Sequence, residues 1–187
     1  MGISCKCITN DFNEGTELRP VPNNPELNIN NTILIDEPKY QEKNKEFFKM
    51  LNDMRINPEQ YIGDSKEYNL FENFMKLRPS NELTFSENNI NNIKKYIIDH
   101  YPQNKKISDK EEDIKLIVNE GKIKDICLFE VTFNNFNDIK ENVWHFLVEN
   151  EDDFEKIFSK KYNKLIILSF LIKDNSKIFT NLIFYQD

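Results

Sequence analysis

The sequence predicts an α/β fold, an α-β-α sandwich in which helices cover both faces of a small, mainly antiparallel sheet. Three observations carry that prediction. Apolar residues recur at helical spacing through most of residues 40–119. From Ile126 to Phe133 the chain alternates strictly, with Cys127, Phe129, Val131 and Phe133 on one side. Two aliphatic runs follow, Leu165–Ile172 and Ile178–Tyr185, and strands apolar on both faces belong in the middle of a layered fold.

Each element has its own local warrant. Phe47, Leu51 and Met54 share one helix face, and the helix should stop near Ile56 because Asn57 precedes Pro58. Asn57-Pro58-Glu59 reads as an N-cap, an N1 proline and an acidic first turn, restarting a short helix through Tyr61. Tyr68, Phe71 and Phe74 or Met75 suggest another helical segment, closed by Arg78-Pro79. Ser86 can cap a helix whose Ile90, Ile93, Ile97, Ile98 and Tyr101 form one face. Asp109 to Asn119 is a charged helix carrying Ile114 and Ile117. After the alternating strand, Asn137 to Val148 should be a helix with Val143, Trp144 and Leu147 inward, followed by a short one around Asp153 to Phe158. Asp174-Asn175-Ser176 between the aliphatic runs is a hairpin signal.

Composition narrows the function. Of 187 residues 39% are hydrophobic, with 15 Phe and 7 Tyr, so the chain can build an aromatic core and is not disordered throughout. A formal net charge of -7 lacks the basic field that nucleic-acid binding needs. No apolar run approaches the ~18–20 residues that span a bilayer. Alanine is absent and arginine occurs only at Arg19, Arg55 and Arg78, while Asn, Lys and Ile abound without forming tracts. That bias fits AT-rich codon supply better than a low-complexity function.

The amino terminus shows no basic segment followed by an apolar one, so a cytoplasmic protein with reduced Cys5, Cys7 and Cys127 is expected. Gly2, Cys5 and Cys7 are candidate lipidation sites, myristoyl on Gly2 and palmitoyl on the cysteines. Two acyl chains would suffice for stable anchoring. The motif departs at Lys6, where it calls for Ser or Thr. Residues 1–40, with Pro20, Pro22, Pro25 and Pro38, read as an extended arm, and residues 41–187 as one domain.

Several segments, taken in order, resemble the CAP superfamily, also called the SCP-like or cysteine-rich secretory protein domain. The helix containing Asn52 and Arg55, followed by Pro58, looks like that family's first helix and its Pro-containing turn. Asn81 to Phe85 is similar to the segment leading into its second helix, and Leu128-Phe129-Glu130 stands where the family has a Gly-Glu-Asn strand motif. Val143 to Leu147 resembles the Trp-bearing helix, and Phe154 to Phe158 with the final hairpin resembles the closing motif. The likeness implies a CAP-type sandwich over residues 40–187.

It also implies a cavity tetrad of two His and two Glu, and here the chain departs. Only Glu130 falls on a tetrad position; Asp153 stands at the last His position, and Lys105 to Asp109 contains no His. His100 and His145 lie elsewhere, so no metal site is expected at the family's positions.

Glu130 is the one candidate ligand-binding residue, either a cavity carboxylate or a partly exposed strand residue at a sheet edge. Cys127 reads as a buried thiol and His145 as an ordinary amphipathic helix residue. The acidic run Glu149 to Asp153 lacks calcium-loop spacing, and Lys160-Lys161 is too small for a nucleic-acid groove. No cofactor and no catalytic residue are expected. The reading is a non-catalytic intracellular CAP-like interaction or structural protein, a component of a larger protein assembly bound through its arm. A lipid-anchored peripheral membrane protein and a rearranged CAP-type ligand or metal binder are the alternatives. Location follows: cytoplasmic, at a membrane surface through acyl chains or on a cytoskeletal assembly.

Overall fold

A computed structural model describes residues 33–87, 89–104, 107, 110–119 and 123–187. Its centre is the predicted hairpin, β4 (Lys164–Ile172) and β5 (Ile178–Gln186), antiparallel with Leu171 opposite Ile178 and Leu165 opposite Phe184. The turn uses the residues that signalled it. Asn175 Oδ1 accepts the Lys177 N–H at 3.0 Å, and Ser176 takes a φ of 57°, the left-handed region that small polar residues tolerate in tight turns. β3 (Asp125–Phe133) pairs antiparallel along the far side of β5 and forms one edge of the sheet.

The opposite edge is β4, and two very short strands share it. β1 (Leu34–Ile35) is antiparallel to the end of β4, and β2 (Thr84–Phe85) is parallel to its start. Neither was legible as a strand. Leu34 and Ile35 stand in the stretch that reads as an arm, and Thr84 and Phe85 in the approach to a helix.

Helices cover both faces. On one side α1 (Lys39–Ile56), α3 (Phe71–Lys76), α6 (Ile139–Glu149) and α7 (Phe154–Ile157) bury Phe47, Leu51, Phe74, Trp144 and Ile157. These meet Leu165 and Ile167 of β4 and the Cys127, Phe129, Val131, Phe133 row of β3. On the other side Ile93, Ile97 and Tyr101 of α4 (Ile90–Asn104) and Ile114 and Val118 of α5 (Glu111–Asn119) meet Ile166, Leu168 and Phe170. Adjacent β4 residues therefore serve opposite cores, which is why that run is apolar throughout. Trp144 is fully buried, stacked at 4.7 Å on Tyr68. The fold is mixed α/β with an open, mainly antiparallel sheet, and among the described residues no helix is long and apolar enough to cross a membrane.

Three local expectations need correction. Asn57 makes no side-chain N-cap bond to the following turn: its side-chain amide donates to Asp53 Oδ1 and its N–H to the Asp53 carbonyl, both at 2.8 Å. It closes α1, and Pro58–Tyr61 is a 3-10 turn leading into the short α2 (Ile62–Ser65). Tyr68 lies in a turn before α3, where its ring meets Trp144. α6 begins at Ile139 because Asp138 accepts the Glu141 N–H at 3.0 Å and so caps it.

Candidate functional site

Alternation along β3 sends Cys127 to the α1/α6 face and Glu130 to the α4/α5 face, as the pattern predicts. Glu130 is half-buried on the edge strand, directly opposite Asn181 of β5. Its Oε1 accepts the backbone N–H of Ile107, a fully buried residue between α4 and α5. Nearby Tyr101 packs on Phe179 at 4.3 Å. Burial, and then the charge of Glu130, raises the Tyr101 phenol above its ordinary range. Asn181 is 1% exposed, and neither of its amide atoms has a hydrogen-bond partner. What the geometry gives Glu130 is the tethering of a buried backbone segment.

The other ionisable candidates are spread out. His145 lies on α6 beside Phe133 at 5.8 Å, whereas His100 stacks on Tyr96 at 3.9 Å beyond the opposite face of the sheet. No single ion could reach both. Asp153 pairs with Lys156 at 2.5 Å on the surface. Burial, and next the charge of Glu111, pushes the Cys127 thiol up, the reverse of what a nucleophilic cysteine needs. Among the described residues no group of three or more His, Cys, Asp or Glu converges as a metal site would. Gly2, Cys5 and Cys7 lie outside the described residues.

Two buried polar features lie apart from these candidates. Arg55 is fully buried: its guanidinium donates to the Ile157 carbonyl, to the Ser159 carbonyl at 2.8 Å and to Ser80 Oγ at 3.2 Å. Burial lowers its pKa to about 10. The second feature is a buried chain of side chains where α1 crosses β4. Asn44 Nδ2 donates to the Ile167 carbonyl at 3.2 Å, and Ser169 Oγ donates to Asn44 Oδ1 at 2.6 Å while sitting 2.8 Å from Thr180 Oγ1.

This chain borders a cavity of about 120 Å³. Its floor is Ile167, Leu168 and Ser169 of β4, and its walls are α1 and the start of α4. Asp36, Glu37, Glu87, Lys45 and Lys94 stand around it. Lys94 pairs with Asp36 at 2.8 Å and Lys45 with Glu87 at 3.8 Å. One signal for it was present in the sequence: Asn44 interrupts the apolar stripe between Tyr40 and Phe47, and Ser169 interrupts an aliphatic run.

Comparison with protein-family models, with curated proteins and with solved structures finds no match to this chain.

Proposed function

We propose that this chain is a non-catalytic interaction protein with a CAP-like domain, a component of a larger protein assembly that it engages through its amino-terminal arm. One observation carries the reading. Leu34 and Ile35 pair with Ile172 and Leu171, so these two residues are held at the rim of the sheet as a short edge strand. Holding Leu34 and Ile35 in the sheet gives a partner contact made through the arm a fixed point of attachment on the domain.

The CAP-like reading draws support from Asn52 and Arg55. Asn52 Oδ1 accepts the Leu83 N–H at 2.8 Å, and Arg55 holds Ile157 and Ser159. These two side chains join three of the segments that carry the resemblance.

Deleting residues 1–30 tests the function while leaving β1 in place. The truncated chain should unfold at the same temperature as the full chain and should no longer co-purify with its assembly from the native source. A truncated chain that still assembles normally would sink the proposal.

A further inference from the structure

The β4 edge is interrupted. β1 pairs with Leu171 and Ile172, β2 with Lys164 and Leu165, and among the described residues no strand pairs with β4 between them. Alternation fixes what that interval presents. The Ile172 N–H points into the hairpin, to the Lys177 carbonyl, whereas the Leu165 carbonyl accepts from Ser86 and the Lys173 N–H donates to Ile33. Odd-numbered residues therefore turn their N–H and C=O outward, and in the interval these are Ile167 and Ser169. Asn44 occupies the Ile167 carbonyl.

Ser169 has lost a natural partner. Continued in register, β1 would bring Glu37 opposite Ser169. Instead Pro38 adopts helical angles, and the Glu37 carbonyl accepts the Tyr40 N–H at 3.0 Å as α1 begins. The chain peels away, and the cavity lies where the strand would have run.

We propose that this slot is a main-chain docking position for an extended segment of a partner protein. One small residue of that segment lies against Ser169, giving its N–H to the Ser169 carbonyl and taking the Ser169 N–H on its own carbonyl. The proposal rests on the interaction role argued above and names a second contact for it. The size of the cavity, about 120 Å³, equals roughly four waters at ~30 Å³ each. It has room for main chain with a small side chain. The rim carboxylates Asp36, Glu37 and Glu87 are each already ion-paired, with Lys94, Lys39 and Lys45 in turn, so recognition rests on the main chain and not on charge. Because α1 and α4 wall the slot, a single extended chain can enter and the edge of a second folded sheet cannot. Strand addition of this kind takes affinity from main-chain hydrogen bonds and selectivity from the flanking side chains.

Randomised heptapeptides displayed on phage, selected against the full chain, provide the probe. Selected peptides should share a small residue at one position and should shift the Ser169 and Ile167 amide resonances. N-methylating the residue that faces Ser169 should weaken binding at least tenfold, and so should Gln41→Trp, which fills the mouth of the slot from the exposed side of α1. The N-methyl arm stands even where Gln41→Trp perturbs folding. Failure to select any peptide, or peptides that bind without moving Ser169 or tolerate N-methylation, overturns the inference. If deletion of residues 1–30 abolishes assembly while no peptide docks, the interaction role stands and the slot falls. If peptides dock while the deletion leaves assembly intact, the slot stands and the role of the arm falls.

Discussion

Arg55→Met should destabilise the fold by about 3 kcal/mol. Methionine keeps the apolar stem and removes the guanidinium, which leaves the Ile157 and Ser159 carbonyls and Ser80 Oγ without their donor. Hydrogen bonds from a charged donor contribute about 1.5–3 kcal/mol each. Against this stands desolvation. Burial holds the Arg55 pKa at about 10, well below its ordinary value, and at ~1.36 kcal/mol per tenfold that cost is on the order of 3 kcal/mol. Its unpartnered Nε adds to the cost. Three bonds outweigh the penalty, and a net loss of about 3 kcal/mol remains on substitution. Urea unfolding followed by fluorescence measures it cleanly, since Trp144 is the single tryptophan and is fully buried. The folded pKa lies below the unfolded one, so the unfolded chain binds more protons in the window that opens above about pH 10. Arg55's contribution therefore grows as pH rises through that window and is constant across neutral pH. A methionine variant as stable as the parent at pH 7 would refute the reasoning and show that desolvation outweighs the three bonds.

Further outcomes follow from the same geometry. In amide exchange of the free protein, Ile167 and Ser169 should exchange faster than Ile166, Leu168 and Phe170, whose N–H groups face β5; uniform protection along β4 would close the proposed slot. Glu130→Gln should accelerate exchange of the Ile107 amide, which donates to that carboxylate, while costing no more than about 1–2 kcal/mol, and unchanged Ile107 protection would remove its tethering role. Burial raises Tyr68, Tyr96 and Tyr162 to about 12, and Glu141 and Asp113 accept from the first two at 2.8 and 2.5 Å. Folded values above the unfolded one mean stability that is intact below pH 10 and lost as pH climbs towards 12. Ring resonances of Tyr68, Tyr96 and Tyr162 that titrate at pH 10 in the folded protein would contradict this.

Long elements were legible because period and burial agree over many residues. β3, with Cys127, Phe129, Val131 and Phe133 on one core and Leu128 on the other, needs no information beyond its own sequence. The hairpin turn was legible from Asp174-Asn175-Ser176 for the same reason. β1 and β2 were not, since two residues carry no period. Leu34 and Thr84 are strand residues only because β4, distant from both in sequence, offers them an edge. Glu130 divides along the same line. Its face followed from alternation, but its contact with Ile107 depends on how the chain between α4 and α5 returns to the sheet.

The polar residues inside apolar patterns say most about this fold. An interrupted strand edge leaves main-chain groups without partners, and burying them unpaired costs about 1–3 kcal/mol each. Asn44 answers that cost for Ile167, reaching from α1 with the amide geometry a missing strand would have supplied. Ser169 and Thr180, opposite one another on β4 and β5, then hold the Asn44 amide in place. A leucine at position 44 would restore the helix stripe, take the donor from the Ile167 carbonyl and leave the Ser169 hydroxyl with Thr180 alone. What looks in the sequence like a flaw in α1's apolar face is the substitute for a strand that Pro38 turns away. The same substitution stops short of Ser169's main chain, and there the edge stays open.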